Sequence, residues 1–97
     1  AHGPYLPIHH WRDVAGREVD FVLPRGRNAV DAVECKWDPA RLDSSGLKAF
    51  RSLYPRGTNY LVCPSSVPPY RKTVGGLEVV VAGPDGWWRD ASEESRL

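Results

Sequence analysis

Two runs of alternating apolar and polar residues flank a turn in the first third of the chain. Residues 17–23 place apolar side chains at every second position, and residues 29–37 resume the same alternation. A period of two indicates half-buried strands, and the segment between them, residues 24–28, carries the proline and glycine of a loop. A short strand at residues 8–12 and a tight turn at 13–16 precede them. The pattern predicts a three-stranded antiparallel meander.

The apolar spacing then changes from strand-like to helical. Leu47, Phe50, Leu53 and Tyr54 follow helical spacing, and the preceding Asp43-Ser-Ser run offers side chains that cap a helix N-terminus. A Pro-Arg-Gly sequence ends the helix, and a further short strand follows at residues 59–63. A strand, a helix and a strand in this order predict a crossover that makes the last strand parallel to the strand at residues 29–37.

The remaining pattern is simpler. Residues 62–69 are expected to form a loop, and the valine-rich residues 77–82 a fifth strand. The predicted organisation is an irregular lead-in at 1–7, one domain at 8–82, and a turn with a flexible tail at 83–97. The fold class is α/β, an α+β mixed sheet in which a β-meander is followed by a helix and a parallel strand.

Composition leaves the class of partner open. The chain has 97 residues, is 41% hydrophobic and 26% charged, and carries a net charge of +1. These values fit one globular domain, and any nucleic-acid surface must be a local patch. No signal peptide or long apolar run is present, which favours a cytoplasmic location. Methionine is absent even at position 1, which suggests a processed product or a fragment.

Four charged residues follow the polar side of the two alternating runs. If the hairpin closes symmetrically about residue 27, Asp20 lies opposite Glu34 and Glu18 lies opposite Lys36. Directly opposed like charges are destabilising, and a divalent cation held by the two carboxylates would remove the repulsion between Asp20 and Glu34. Lys36 would then orient the attacking water or neutralise a phosphate. A solvated strand face is the alternative explanation.

Other candidate residues each have a structural alternative. His9 would lie opposite position 20 if the turn at 13–16 closes a two-residue loop, and would be an accessory ligand or an incidental histidine. Lys48 and Arg51 share one side of the predicted helix, where they would contact phosphate or form a solvated face. The two cysteines, Cys35 and Cys63, are expected to be reduced.

Three tryptophans also have two possible roles. Trp37, Trp87 and Trp88 could stack on nucleic-acid bases, although packing against the sheet edge is the more usual role for such side chains.

The hairpin also carries a resemblance. Asp20, thirteen further residues and then Glu34-Cys35-Lys36 on the next strand resemble the signature of the PD-(D/E)XK, or restriction-endonuclease-like, nuclease superfamily. More narrowly, three segments resemble the C-terminal nuclease-like domain of unknown function of predicted AAA-type ATPases. They are Trp11-Arg-Asp-Val-Ala-Gly-Arg-Glu-Val-Asp-Phe-Val-Leu, Glu34-Cys-Lys-Trp and Gly46-Leu-Lys-Ala-Phe, and the resemblance covers residues 9–82.

This resemblance implies a metal-dependent nuclease site. Asp20 and Glu34 would be metal ligands for Mg²⁺ or Mn²⁺, the backbone carbonyl of Cys35 the third ligand, and Lys36 the catalytic lysine, with Glu18 as a possible accessory. DNA would be the substrate, and an ATPase domain would belong to the same full-length chain. The first helix of the family core is missing from the proline-broken residues 1–7. A non-catalytic nucleic-acid- or protein-binding module and a purely structural docking domain remain alternatives.

Overall fold

A six-stranded mixed sheet with one helix packed on each face forms the body of the molecule. The computed structural model describes residues 9–26, 28–64 and 68–94. The predicted mixed α+β fold class is confirmed. The strands are β1 (His9–Arg12), β2 (Glu18–Pro24), β3 (Val30–Cys35), β4 (Asn59–Val62), β5 (Tyr70–Val74) and β6 (Leu77–Ala82). The helices are α1 (Ser45–Leu53) and α2 (Pro84–Glu94), with a 3₁₀ turn at Pro39–Arg41.

The strand order in the sheet is β1-β2-β3-β4-β6-β5. The first three strands pair antiparallel, which confirms the predicted meander. β4 pairs parallel to β3, as predicted from the strand–helix–strand order, and β6 continues the parallel part of the sheet. The carboxyl ends of β3, β4 and β6 therefore meet at one edge, where open α/β sheets commonly bind ligands.

Each face of the sheet buries its own apolar cluster. Leu47 and Phe50 of α1 pack on one face, against side chains from β2, β3, β4 and β6. Tyr60 and Val62 of β4 contribute to the cluster on the other face, which Trp87 of α2 covers. The neighbouring residue Leu61 belongs to the first cluster, because successive strand side chains point to opposite faces.

A bulge in β2 interrupts the alternation of its side chains between the two faces of the sheet. His9 pairs with Val22 while Trp11 pairs with Val19, so three steps along β2 match two steps along β1. Val19 and Val22 consequently lie in the same cluster under α1. The alternation of residues 17–23 predicts one shared face for Val19, Phe21 and Leu23. This prediction is wrong for Val19, which lies under α1, whereas Leu23 lies in the cluster on the other face. The predicted pairing of His9 with position 20 is also wrong. Arg12 pairs with Glu18, one residue out from the predicted register, and the bulge adds a second residue, so His9 pairs with Val22.

The antiparallel hairpin of β5 and β6 was only half predicted. The strand at residues 77–82 is confirmed, whereas β5 was not expected. Gly75 and Gly76 connect the two strands with φ values of 57° and 83°, the positive angles of a two-residue hairpin turn. The Gly-Gly pair was a usable signal in the sequence. The apolar–polar pattern does not predict β5, because β5 is a largely exposed edge strand with little apolar alternation.

The C-terminal segment corrects another prediction. A turn and a flexible tail were expected at residues 83–97, but the chain forms α2 from Pro84 to Glu94. The Tyr60 hydroxyl donates a hydrogen bond to the Asp90 carboxylate, and the Arg25 guanidinium donates to the Ala91 carbonyl. These partners are distant in sequence, so the local composition gave no sign of them.

Several predictions lie outside the described residues. These are the lead-in at 1–7 with its missing helix, and the last three residues of the expected tail. Within the described ranges, both cysteines are free, with Cys35 exposed and Cys63 buried. No helix in those ranges is long and apolar enough to cross a membrane.

Candidate functional site

The predicted register of the β2–β3 hairpin is confirmed. Phe21 pairs with Val33, and the pairing continues without a shift to Pro24 and Val30. Asp20 and Glu34 are the next residues beyond the pair of Phe21 and Val33, and the Asp20 N–H donates to the Glu34 carboxylate. The two acidic residues that the sequence placed together are therefore neighbours at the point where regular pairing of β2 and β3 ends.

The carboxylates of these two residues bind the backbone of the opposite strand. The Asp20 N–H donates to Glu34 Oε1 at 2.9 Å, and the Cys35 N–H donates to Asp20 Oδ2 at 2.9 Å. Each hydrogen bond uses one oxygen of a carboxylate. Hydrogen bonds to an ionised acceptor are stronger than neutral ones, so the pair is held in place by the fold itself.

The N-terminus of α1 forms the other wall of the site. A β-carbon on Gly46 would lie 2.1 Å from the Glu18 carbonyl oxygen, so only glycine permits this approach of helix to strand. Asp43 Oδ1 accepts the Ser45 N–H at 2.9 Å, whereas the N-cap residue Ser44 makes no side-chain capping hydrogen bond. Helix and hairpin enclose an open cleft of about 390 Å³ whose lining includes Asp20, Glu34 and Lys36.

Burial and like charge act together on Glu34, which is only 7% exposed. Its pKa is raised, chiefly by burial and further by the charges of Asp20 and Glu18, whereas the Asp20 N–H and the Lys36 ammonium act in the opposite direction. The site therefore holds a carboxylate whose ionised form the protein alone does not fully compensate. A cation in the cleft would favour that ionised form.

Cys35 contributes its backbone to the site rather than its thiol. Burial raises the pKa of the Cys35 thiol, and the charges of Asp20 and Glu34 raise it further. Because the thiolate is the nucleophilic form of cysteine, this side chain is a poor nucleophile. The Cys35 N–H points towards β2, and the carbonyl of the same strand residue shares that direction.

A histidine extends the acidic site, but it is His10 and not His9. His10 Nε2 lies 3.0 Å from Glu18 Oε1, and its Nδ1 lies 3.3 Å from the Asp20 carbonyl oxygen. His10 thereby joins β1 to the bulged part of β2. Sequence reasoning missed it because the bulge is invisible in an unbroken alternating pattern.

The predicted phosphate-binding pair on α1 is separated by the structure. Lys48 is exposed, but Arg51 is only 9% exposed, so the prediction that Arg51 contacts nucleic acid is wrong. Its guanidinium donates to the Asn59 side chain and to the carbonyls of four residues, Val30, Tyr54, Arg56 and Thr58. Burial lowers the pKa of Arg51. Its donors hold the end of α1 and the following loop against β3.

The three tryptophans also behave differently from one another. Trp87 packs on the apolar cluster under α2, which is the packing role. Trp37 is 86% exposed and Trp88 is 53% exposed. Exposure of this size leaves the indole of Trp37 largely without protein contacts.

Within the described part of the chain, no three His, Cys, Asp or Glu side chains come close enough to hold a metal ion by themselves. Asp20 and Glu34 supply two acidic side chains, and Glu18 and Asp43 line the same cleft. The candidate site is thus a pair of anchored carboxylates beside a lysine, open to a cleft.

Fold and site define a mixed-sheet α/β domain with a charged cleft between a bulged hairpin and a helix N-terminus. The chain belongs to the domain family of unknown function DUF4143, whose family model matches residues 1–80. This is a family of domains found in ATPase-associated proteins. No curated protein and no solved structure matches the chain.

Proposed function

We propose that this chain is the nuclease-like domain of a larger, ATPase-containing protein, and that it hydrolyses DNA phosphodiester bonds with Mg²⁺ or Mn²⁺. The observation that carries the proposal is the juxtaposition of Asp20 and Glu34 in one cleft with Lys36. The resemblance of these residues to the PD-(D/E)XK signature supports it, as does membership of a family found in ATPase-associated proteins.

The donor atoms fit a hard divalent cation. Asp20 and Glu34 each use one oxygen for a backbone N–H and keep a second oxygen. Those two oxygens and the Cys35 carbonyl would hold the ion, and Mg²⁺ retains several waters where protein ligands are few. When bound, the ion acts as a Lewis acid and lowers the pKa of a water molecule.

The protein's own residues place two carboxylates and one ammonium group in the site and hold the carboxylates in fixed positions. The Asp20 and Glu34 carboxylates are fixed by their backbone hydrogen bonds, which reduces the reorganisation needed during the reaction. The Lys36 ammonium lies near enough to Glu34 to lower its pKa, and in this role it would neutralise a scissile phosphate or orient the attacking water. Glu18, held by His10, remains the accessory acidic residue.

The test compares wild type with Asp20→Asn by Mn²⁺ titration calorimetry and by plasmid nicking. Asparagine keeps an oxygen that can accept the Cys35 N–H, so the fold is spared while a charge is removed. Glu78→Gln is the control, because it also removes one negative charge, at an exposed carboxylate on β6 that does not line the cleft. Loss of Mn²⁺ binding and nicking in Asp20→Asn alone supports the proposal. Absence of both in wild type refutes it.

A non-catalytic nucleic-acid- or protein-binding module on the same fold is the second candidate. The observation that favours it is that both acidic side chains already satisfy backbone N–H groups, which is a structural use of Asp20 and Glu34. In that case wild type would bind DNA or protein without nicking, and Asp20→Asn would bind as tightly as wild type.

A further inference from the structure

Three surface concavities meet at Lys36. The cleft that contains Asp20 and Glu34 is one of them. A second, of about 360 Å³, lies at the carboxyl ends of the parallel strands and is lined by Cys35, Lys36, Trp37, Val62, Pro64 and Pro84. A third, of about 520 Å³, is lined by Lys36, Trp37, Asp38 and Arg41. A ligand that contacts Lys36 in the cleft can therefore extend directly past Trp37.

Trp37 stands between the second and the third concavity, because it lines both. The residue follows the last residue of β3 by two positions and precedes the 3₁₀ turn at Pro39–Arg41. Its side chain is 86% exposed. A large aromatic side chain exposed to this degree offers a wide apolar face, which a ligand would bury by stacking on it.

The charges around Trp37 favour an anionic ligand. Lys36 and Arg41 both line the third concavity with it. Asp38 is the opposing charge there, and its Oδ1 already accepts the Ala40 N–H at 2.9 Å. An indole beside two cations is the combination that binds single-stranded nucleic acid, where bases stack on aromatic rings and cations follow the phosphates.

We propose that Trp37 is a stacking platform for an unpaired base of DNA, with Lys36 and Arg41 contacting the flanking phosphates. This proposal rests on the proposed function and names its substrate class: DNA that presents an unstacked nucleotide, such as a single strand, a frayed end or a junction. In an intact duplex both faces of every internal base are covered by neighbouring bases, so Trp37 would find no free face.

The test measures binding without chemistry. Fluorescein-labelled oligo(dT) and a duplex of the same length are titrated with the protein in EDTA, and anisotropy is recorded. Wild type is compared with Trp37→Ala and with Trp88→Ala, an exposed tryptophan that lines none of the three concavities. We expect Trp37→Ala to weaken oligo(dT) binding by about 5- to 150-fold, and Trp88→Ala to bind like wild type. Thermal melts verify that both variants are folded.

The outcomes separate this proposal from the proposed function. If Trp37→Ala binds oligo(dT) as wild type does, or wild type binds duplex more tightly than oligo(dT), the stacking proposal is wrong even where plasmid nicking persists. If wild type binds neither oligo(dT) nor the duplex, the proposal is also wrong. Trp37-dependent oligo(dT) binding in a protein that shows neither Mn²⁺ binding nor nicking supports the stacking platform and refutes the nuclease.

Discussion

Asp20 and Glu34 hold each other's strands: the Asp20 N–H donates to Glu34 Oε1, while Asp20 Oδ2 accepts the Cys35 N–H. Each side chain takes the place of a carbonyl acceptor at the point where β2 bulges and regular pairing ends. The same two residues therefore have a structural use and a candidate chemical use. Amide substitutions separate the two uses, because they keep an acceptor oxygen and remove the charge.

Glu34→Gln tests the cost of the buried charge. The pKa of Glu34 is raised above its ordinary value of 4.5, chiefly by burial, so between that value and the raised pKa the folded protein holds more protons than the unfolded chain. The wild-type free energy of unfolding then falls as pH rises through this window. Glutamine still accepts the Asp20 N–H, so we expect Glu34→Gln to gain stability relative to wild type as pH rises.

Urea denaturation of both proteins at intervals from pH 4 to pH 8 gives the difference directly. Glu78→Gln, at an exposed carboxylate on β6, controls for the loss of one surface charge. A difference between Glu34→Gln and wild type that stays constant with pH, or moves in the opposite direction, would contradict the assignment of Glu34 as an uncompensated buried acid.

Gly46→Ala tests the close packing of α1 on β2. Alanine inside a helix is normally favoured over glycine by about 1 kcal/mol. Here the added β-carbon would lie 2.1 Å from the Glu18 carbonyl oxygen, so the helix must move away from the strand. We expect a net loss of about 1–3 kcal/mol in the free energy of unfolding, measured by urea denaturation. Ser45→Ala, at an exposed neighbouring position, should change stability by about 0.5 kcal/mol or less. If Gly46→Ala is more stable than wild type, α1 can move away from the Glu18 carbonyl without cost, and the expectation is wrong.

The sequence predicts the centre of the sheet well because period and charge agree there. The alternation on either side of the predicted loop at residues 24–28 determines the register in which Phe21 pairs with Val33, beside Asp20 and Glu34. The strand–helix–strand order then determines that β4 lies parallel to β3. Both inferences depend on local patterns combined with a general rule of topology, and neither needs a long-range contact.

Other features depend on contacts that a local pattern does not contain. The β2 bulge leaves no mark on the apolar–polar pattern of the sequence, yet in the structure His10 rather than His9 lies beside Glu18. In the sequence, Arg51 lies on the polar side of the predicted helix, as a solvent-exposed residue would. In the structure the loop after α1 folds back over it, and its guanidinium donates to carbonyls of that loop. α2 has a polar composition, and its position depends on Trp87 and on partners in β4.

Arg51→Ala tests the structural role that replaces the predicted phosphate contact. The guanidinium makes five hydrogen bonds, four of them to backbone carbonyls. Removing it takes the Arg51 donor from the buried Asn59 side chain and from all four carbonyls, two of which still accept a backbone N–H. We expect a loss of roughly 3 kcal/mol or more in the free energy of unfolding. Lys48→Ala, on the same helix but exposed, should lose about 0.5 kcal/mol or less. If urea denaturation shows equally small losses in the free energy of unfolding for Arg51→Ala and Lys48→Ala, Arg51 has no structural role.

A double-mutant cycle on Tyr60 and Asp90 tests how α2 is attached to the sheet. Tyr60 is fully buried in β4, and its hydroxyl donates to the Asp90 carboxylate on α2. Hydrogen bonds to charged acceptors contribute about 1.5–3 kcal/mol, so Tyr60→Phe should destabilise the protein by that amount. Asp90→Asn should cost less, because its side-chain oxygen still accepts a hydrogen bond. The Asp90→Ala form removes the acceptor, and combined with Tyr60→Phe it should lose less than the sum of the two single variants.

The measurement is urea denaturation of the four proteins, with Asp85→Ala as the control for removing a carboxylate from the first turn of α2. Asp85→Ala should show no coupling to Tyr60→Phe, since no hydrogen bond joins these two residues in the described part of the chain. Strict additivity of Tyr60→Phe and Asp90→Ala would mean that the hydroxyl–carboxylate bond does not hold the helix. The apolar contact of Trp87 with the sheet would then be the main attachment, and truncating Trp87 would release α2 where breaking the hydrogen bond did not.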